Sequence, residues 1–469
     1  MLPETVSEWE DTMHPTKNRK EKFRLFVAIF SPIFVTQVAM SLMGFFNASM
    51  SGNVASADLA GVAIGNSLWS PVYTGLSGIL VAVTPTVSQL VGAGREREVP
   101  KTVQQGILAA FFISISLIAA GALSLEKILN LMDLEEEVKR TAHDYLVSLS
   151  FGIVPLLVYN VLRYFIDALG QTKTTMIITL LSVPLNVFFN YLFIFGKFGF
   201  PKLGGVGAGV ASAITYWIIC LIAILLITRI RPFSRYGIFR AFYGIHFPVL
   251  KELFRVGIPI GMAIFFETSI FAAITLLMSQ YDTATVASYQ AAANFTTILY
   301  MFPLSISMSL TILVAYEVGA GRLRDAGQYS RLGILTALIL AFLNAVILYV
   351  FRYPIASLYT NEERVLEITA RFLLFAIGFQ FSDAIQASVQ GALRGYKDVN
   401  ASFITTFVAY WVIGLPAGYL LAGYGGMGPD GYWIGIISGL TAGAVGLSAR
   451  LFYIQKIKYG GAFVKGERR

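Results

Sequence analysis

Val91-Gly92-Ala93-Gly94-Arg95 returns 227 residues later as Val318-Gly319-Ala320-Gly321-Arg322. Each copy closes a long apolar run, 59–90 in the first case and 285–318 in the second, and opens onto a short basic segment. A helix that crosses a bilayer needs about 20 mostly apolar residues. Glycines just after such a run end the helix, and basic residues beyond them sit well on the cytoplasmic side. The stretch therefore reads as the inner end of a transmembrane helix, present twice. At the same spacing Thr84 matches Thr311, Val87 matches Val314, Arg97 matches Arg324, Pro32 matches Pro259 and Ala60 matches Ala287. Ala168-Leu169 with Lys173 also matches Ala392-Leu393 with Lys397, at a spacing of 224. Several matches at one spacing mark an internal repeat.

Outward from this pair, further apolar runs bring the number of predicted spans to twelve: 24–48, 59–90, 104–125, 141–165, 174–196 and 205–228, then 250–280, 285–318, 331–351, 366–391, 400–422 and 432–455. The first, from Phe23 to Phe46, is too long for a signal-peptide core, and no small-residue cleavage site follows it. Composition agrees: 56% of the 469 residues are hydrophobic and 13% charged, against about 25% charged in soluble domains. This excludes an ordinary soluble enzyme, a nucleic-acid binder and a disordered chain. The net charge of +8 is too dilute for a phosphate-binding surface and reads as basic loops beside lipid headgroups. Cys220 is the single cysteine, so no disulfide framework exists. The expected partners are membrane lipid and small molecules, with no nucleic acid, and the chain is expected to act as a monomer.

With the N-terminus placed in the cytoplasm, about three-quarters of the 35 Lys and Arg residues fall to the inner side. The expectation is a multi-pass protein of the plasma or inner membrane with both termini cytoplasmic. The chain divides into an N-terminal tail (1–23), an N-lobe of spans 1–6 (24–228), a cytoplasmic linker (229–249), a C-lobe of spans 7–12 (250–455) and a C-terminal tail (456–469). In the linker Arg229, Arg231, Arg235 and Arg240 alternate with Phe233, Tyr236, Ile238, Phe239 and Phe242, an amphipathic pattern that suits the inner membrane surface. The expected fold is all-α and integral to the membrane: two six-helix bundles with the same orientation, since six is even. In transporters built this way the site lies between the repeats near the midplane. Half of the 16 prolines fall inside spans: Pro32, Pro71, Pro85, Pro155, Pro184, Pro259, Pro303 and Pro416. Such prolines kink helices around a cavity.

An ionisable side chain inside a span is a functional candidate, because burying it costs several kcal/mol. Asp144, Asp167 and Glu317 lie near span ends and read as structural. Two acids lie deeper. Glu267 follows Arg255 by about 18 Å of helix, and Asp383 precedes Arg394 by about 16 Å. No Lys, Arg or His is expected at that depth, so the pair must be protonated or hold a cation such as Na⁺. The first half offers neutral groups instead: Asn186 and Asn190, one turn apart in span 5, with Asn47 at the end of span 1 and Ser212 in span 6. Tyr289, Gln290 and Asn294 form a further polar patch on span 8. There is no P-loop and no HExxH, and His14, His143 and His246 fall in tails or near span ends. No cofactor is expected. Without a nucleotide site, transport must draw on an ion gradient.

Four stretches carry a family resemblance: Gly44-Phe45-Phe46-Asn47-Ala48-Ser49-Met50-Ser51-Gly52; Gly196-Lys197-Phe198-Gly199 with Leu203-Gly204-Gly205-Val206-Gly207; Phe265-Phe266-Glu267; and Gly391-Ala392-Leu393-Arg394-Gly395-Tyr396-Lys397-Asp398. Together they resemble the multidrug and toxic compound extrusion (MATE) transporters, in the bacterial NorM-like branch, over nearly all of residues 24–455. The resemblance implies two six-helix bundles arranged as a V and export of organic cations in exchange for Na⁺ or H⁺. It implies ion coupling at Glu267 and Asp383, with a Na⁺ held there if Na⁺ is the ion, and an N-lobe polar cluster at Asn186, Asn190 and Ser212. Many members have Asp where this chain has Asn47. NorM-like members often have Tyr where it has Phe379, which removes one oxygen ligand. Coupling is therefore expected in the C-lobe.

The residues favour an antiporter of amphipathic cationic drugs, since acids suit cations and aromatic-rich spans suit flat apolar bodies. The alternative is a flippase for a lipid-linked sugar or similar amphiphile, whose cavity should carry Arg or Lys for a pyrophosphate. An intramembrane enzyme would need paired catalytic groups, and no nucleophile or metal-ligand spacing accompanies the two acids.

Overall fold

The computed structural model describes residues 13–132 and 134–458. Residues 1–12 and 459–469 of the two predicted tails lie outside the described residues. Twelve spans are present. We label them α1 (Arg19–Gly52), α2 (Ser56–Gly92), α3 (Val99–Asn130), α4 (Glu136–Ser150 with Ile153–Ala168), α5 (Thr172–Phe195), α6 (Gly205–Arg229), α7 (Phe247–Met278), α8 (Thr283–Gly319), α9 (Leu323–Ser357), α10 (Glu363–Gly395), α11 (Val399–Gly423) and α12 (Pro429–Tyr453). The two segments of α4 meet at a bend of 52°. α9 runs past the predicted end at 351, across a kink at Phe351 and through Pro354. Inside α11 the segment Val408–Gly414 is π-helical.

These helices form two compact units. One comprises Ser31–Gly261. The other comprises Thr16–Phe30 and the chain from Met262 onward. The start of α1 thus belongs to the second unit, where Lys22 Nζ lies 2.8 Å from Asp325 and Thr16 bonds the Tyr329 hydroxyl at 3.2 Å. The start of α7 belongs to the first unit, where Gly257 and Gly261 lie against the backbone of Ile79 and Gly75 in α2.

The sequence repeat is a structural repeat. In the first unit α4 packs on α2, α3 and α6, α2 packs on α3, and α5 on α6. In the second, α10 packs on α8, α9 and α12, α8 packs on α9, and α11 on α12. The fourth helix of each six is therefore the central one. The two VGAGR stretches end their helices alike. Gly94 and Gly321 take left-handed φ of 70° and 72°, which an L side chain adopts only at a cost. The following Arg95 and Arg322 amides each donate to the carbonyl five residues back, at 2.9 Å. The ends of α4 and α10 carry the same device at Gly170 and Lys397, with φ of 75° and 56°. Their spacing is 227, not the 224 suggested by Ala168-Leu169 and Ala392-Leu393. Identical small apolar residues recur easily in such sequence, whereas a left-handed cap marks a fixed place in the helix. The register pairs Asp167 with Arg394.

The 229–249 linker is mostly irregular. It holds one short turn, Phe233–Tyr236. Phe233 and Tyr236 are buried and pack edge-on against Phe165 of α4. Gln104 Nε2 donates to the Ile238 and Ala241 carbonyls, and Gln105 Nε2 to Gly244 at 2.7 Å. Their side-chain oxygens accept the Tyr243 and His246 amides. Phe242 and Phe247 remain exposed. The alternation thus divides a strap whose Phe233 and Tyr236 seat on its own unit while Phe239 and Phe242 stay exposed.

Candidate ion-coupling site

In the second unit α10 carries a polar stripe. Asp383, Gln386, Gln390 and Arg394 recur at helical spacing, and all are buried. α7 brings Glu267, α8 brings Tyr300, and the π-helical part of α11 brings Tyr410. Tyr300 donates its hydroxyl proton to Glu267 Oε1 at 3.0 Å. Asp383, only 1% exposed, has one carboxylate oxygen that accepts no hydrogen bond. The two acids act on each other electrostatically, and both act on Tyr300 and Tyr410. Below them Gln386 donates to the Tyr410 hydroxyl at 2.9 Å, Gln390 to Thr406 at 3.2 Å, and Arg394 to Gln390 Oε1 at 3.0 Å.

The structure thus brings Glu267 and Asp383 together as expected. It adds Tyr300, Tyr410, Gln386, Gln390 and Thr406, which the sequence reading missed. The three- and four-residue spacing along α10 was the available signal for the glutamines. Arg394, expected to mark the inner boundary, is buried, and its charge reaches Glu267. Glu267 therefore feels a cation from the end of α10.

Phe379 packs edge-on against Phe271 at 6.0 Å, within an apolar cluster. The polar patch expected on α8 is divided. Tyr289 is buried against Trp433, with ring centroids 5.8 Å apart. Gln290 and Asn294 share an exposed face, where Asn294 accepts from the Tyr359 hydroxyl at 2.9 Å. The three residues do not form one site.

In the first unit the four expected polar residues close a buried ring. Asn47 donates to Ser212 Oγ at 3.1 Å. Asn190 donates to Asn47 Oδ1 at 2.7 Å and to Asn186 Oδ1 at 3.1 Å. Asn186 donates to Ser212 at 3.5 Å. The ring carries no charge, so it can bind by dipoles but cannot exchange a proton. Asp167, read as structural, pairs with Arg163 at 3.5 Å, and both are buried.

Among the described residues no group of three or more His, Cys, Asp or Glu is placed to hold a metal. Asp383 and Gln386, one turn apart on α10, each have a side-chain oxygen that accepts no hydrogen bond, and both are hard donors. Such a set suits a proton or Na⁺ rather than a transition metal.

The sequence profile of the MatE family matches residues 32–192 and again 259–420. The chain belongs to the MATE family. Its two matches start 227 residues apart, the spacing of the VGAGR repeat. It is 53% identical over 444 residues to the "Probable multidrug resistance protein NorM" of Halalkalibacterium halodurans, covering 95% of this chain and 97% of that one. It is 53% identical to the protein of the same name from Bacillus subtilis, covering 95% and 98%. These relatives place it in the NorM-like branch of the MATE transporters. The fold matches a solved eukaryotic MATE transporter with a TM-score of 0.85 at 22% identity, covering 92% of this chain and 96% of the other. It also matches an outward-facing multidrug resistance MATE transporter at 0.84 and 16% identity, covering 94% and 100%.

Proposed function

We propose that this MATE protein is a secondary active multidrug exporter that moves amphipathic organic cations out of the cell in exchange for Na⁺ or H⁺. The observation that carries the reading is the pair Glu267 and Asp383: two mutually repelling buried acids, one with an oxygen that accepts no hydrogen bond. A buried carboxylate is tolerated when protonated or holding a cation, and either occupant can be exchanged for a cationic drug. The NorM relatives, named for multidrug resistance, support the substrate class. In this reading Glu267 and Asp383 couple the ion, and the Asn47, Asn186, Asn190 and Ser212 ring offers neutral contacts to substrate. The protein works as a monomer in the cell membrane, with both termini cytoplasmic. The flippase alternative needs a basic group available for pyrophosphate. Arg163 is committed to Asp167, so this arrangement does not favour it. The test is ethidium transport in proteoliposomes under separate Na⁺ and H⁺ gradients. Export driven by one gradient supports antiport, and export indifferent to both refutes it.

A further inference from the structure

The first unit holds a buried constellation that ion exchange at Glu267 and Asp383 leaves unused. Arg163 is 5% exposed. Its Nε lies 3.5 Å from Asp167 Oδ2. Its Nη2 donates to Gln37 Oε1 at 3.4 Å and its Nη1 to Met40 Sδ at 3.3 Å, both on α1. The other Asp167 oxygen accepts from Thr175 at 2.6 Å. Tyr73, Tyr159 and Tyr164 also face the guanidinium, and Asp167 is the charged group among its neighbours.

The cap register at 227 shows what this place is. Gly94 with Gly321, and Gly170 with Lys397, fix the correspondence along α1–α4 and α7–α10. It pairs Met40 with Glu267, Tyr73 with Tyr300, Arg163 with Gln390 and Asp167 with Arg394. In the second unit Tyr300 bonds the coupling acid Glu267, and its counterpart Tyr73 in the first is bonded by Asn160, one turn before Arg163. There the acid is replaced by a thioether, and a guanidinium reaches it from the position that holds a glutamine in the second unit. An arginine does not give up its proton in a protein, and a side chain cannot leave.

We infer that Arg163 is a tethered cation, standing in the first unit where an exchangeable ion acts in the second, and that it confines ion exchange to the second unit. This rests on the antiport reading above. The pair Arg163–Asp167 is neutral as a whole, so the first unit needs no ion from solution. The gradient then acts through the second unit alone.

The test takes the resident cation away. Arg163→Gln leaves Asp167 unpaired in the first unit, and Arg163→Gln with Asp167→Asn leaves neither charge. Bound ²²Na⁺ is counted in detergent at saturation, and proton uptake on acidification is counted in parallel. Arg163→Gln is expected to bind about one more ion than the parent, by whichever ion the parent uses. The double variant is expected to match the parent, because the first unit is neutral again. An unchanged count in an Arg163→Gln variant that keeps its melting temperature and drug binding overturns the inference, as does an extra ion in the double variant. If Arg163→Gln folds poorly, its melting temperature is read against the concentration of the coupling ion: a steeper rise than the parent's supports the inference, and a parental response overturns it. A parent that binds neither ion removes the antiport reading itself, whereas an active parent with no gain in Arg163→Gln removes only the role of Arg163.

Discussion

Asp383 and Glu267 are both buried but differ in company, and that difference decides what each substitution does. Glu267 has the Tyr300 hydroxyl and feels Arg394, whereas Asp383 has an oxygen without a partner. Removing a hydrogen-bonded group leaves a second group unsatisfied, while removing the charge of a lone acid strands nothing. Asp383→Asn is therefore expected to fold and insert with the parent's melting temperature and to lose gradient-driven export by more than about tenfold, roughly 1.4 kcal/mol or more at the transport step. Normal export by that variant in proteoliposomes would make Asp383 structural. Tyr300→Phe is expected to keep export but to change the ion concentration for half-maximal transport severalfold, since it strips Glu267 of its donor; an unchanged ion dependence would separate Tyr300 from coupling. The two acids were legible because a charge inside an apolar run is visible without a structure. Tyr300 and Tyr410 were not, since tyrosine is common in spans and only packing shows which ones reach an acid. Arg394 does end α10, as its place in the sequence suggested, but only packing shows that it is buried there.

At the scale of the element, α10 is held by close approach as much as by polar bonds. Gly391 lies directly against the Ser307 backbone of α8, and a Cβ added at Gly395 would meet Val314 at 2.7 Å. Helices in lipid gain little from apolar burial against each other and associate through such small-residue contacts. Gly391→Val must push α8 away or strain the helix, at a cost of about 1–3 kcal/mol. A clear drop in melting temperature in detergent is expected, and an unchanged value would show that the contact is slack. The linker gives a second test at this scale. Gln104 and Gln105 satisfy its carbonyls and amides, so replacing both with Leu should free the 229–249 segment and speed its proteolysis in inside-out vesicles, with α3 still inserted. Parental protection would mean that Phe233 and Tyr236 hold it unaided. The spans themselves were readable because twenty apolar residues in lipid have few options besides a helix. The bend in α4 and the π-helical turn in α11 leave no hydropathy signal, and neither does the strap. Alternating basic and aromatic residues mark the strap as two-faced but do not say what either face meets, and the glutamines that hold it lie in another helix.

For the whole molecule, we propose from the basic bias and the paired repeat that both termini and the linker are cytoplasmic, and tags at these three places are expected to be reachable only from that side. A signal from the linker on the outer face would sink the two-by-six arrangement. Given that orientation, the means by which a gradient drives a drug follows from charge. A carboxylate in the membrane is stable when protonated or when it holds a cation, and it attracts a cationic drug only after that occupant leaves. In the proposed antiport, ion and drug compete for overlapping charge, and that competition is the exchange mechanism. Moving one charge through 100 mV supplies about 2.3 kcal/mol, and a tenfold ion gradient adds about 1.4 kcal/mol. One ion per cycle then sustains a drug gradient of a few hundredfold at most, about 3.7 kcal/mol, if the drug's own charge movement is set aside. In detergent there is no potential, so the competition can be seen alone. Raising the coupling ion is expected to weaken drug binding to the parent, and the effect is expected to vanish in a Glu267→Gln, Asp383→Asn double variant that still binds drug through its neutral and aromatic contacts. Drug affinity in the parent that stays flat from about pH 5.5 to 8.5 and across a wide Na⁺ range would refute exchange at a shared site, because a carboxylate that does not change its occupant has nothing to trade.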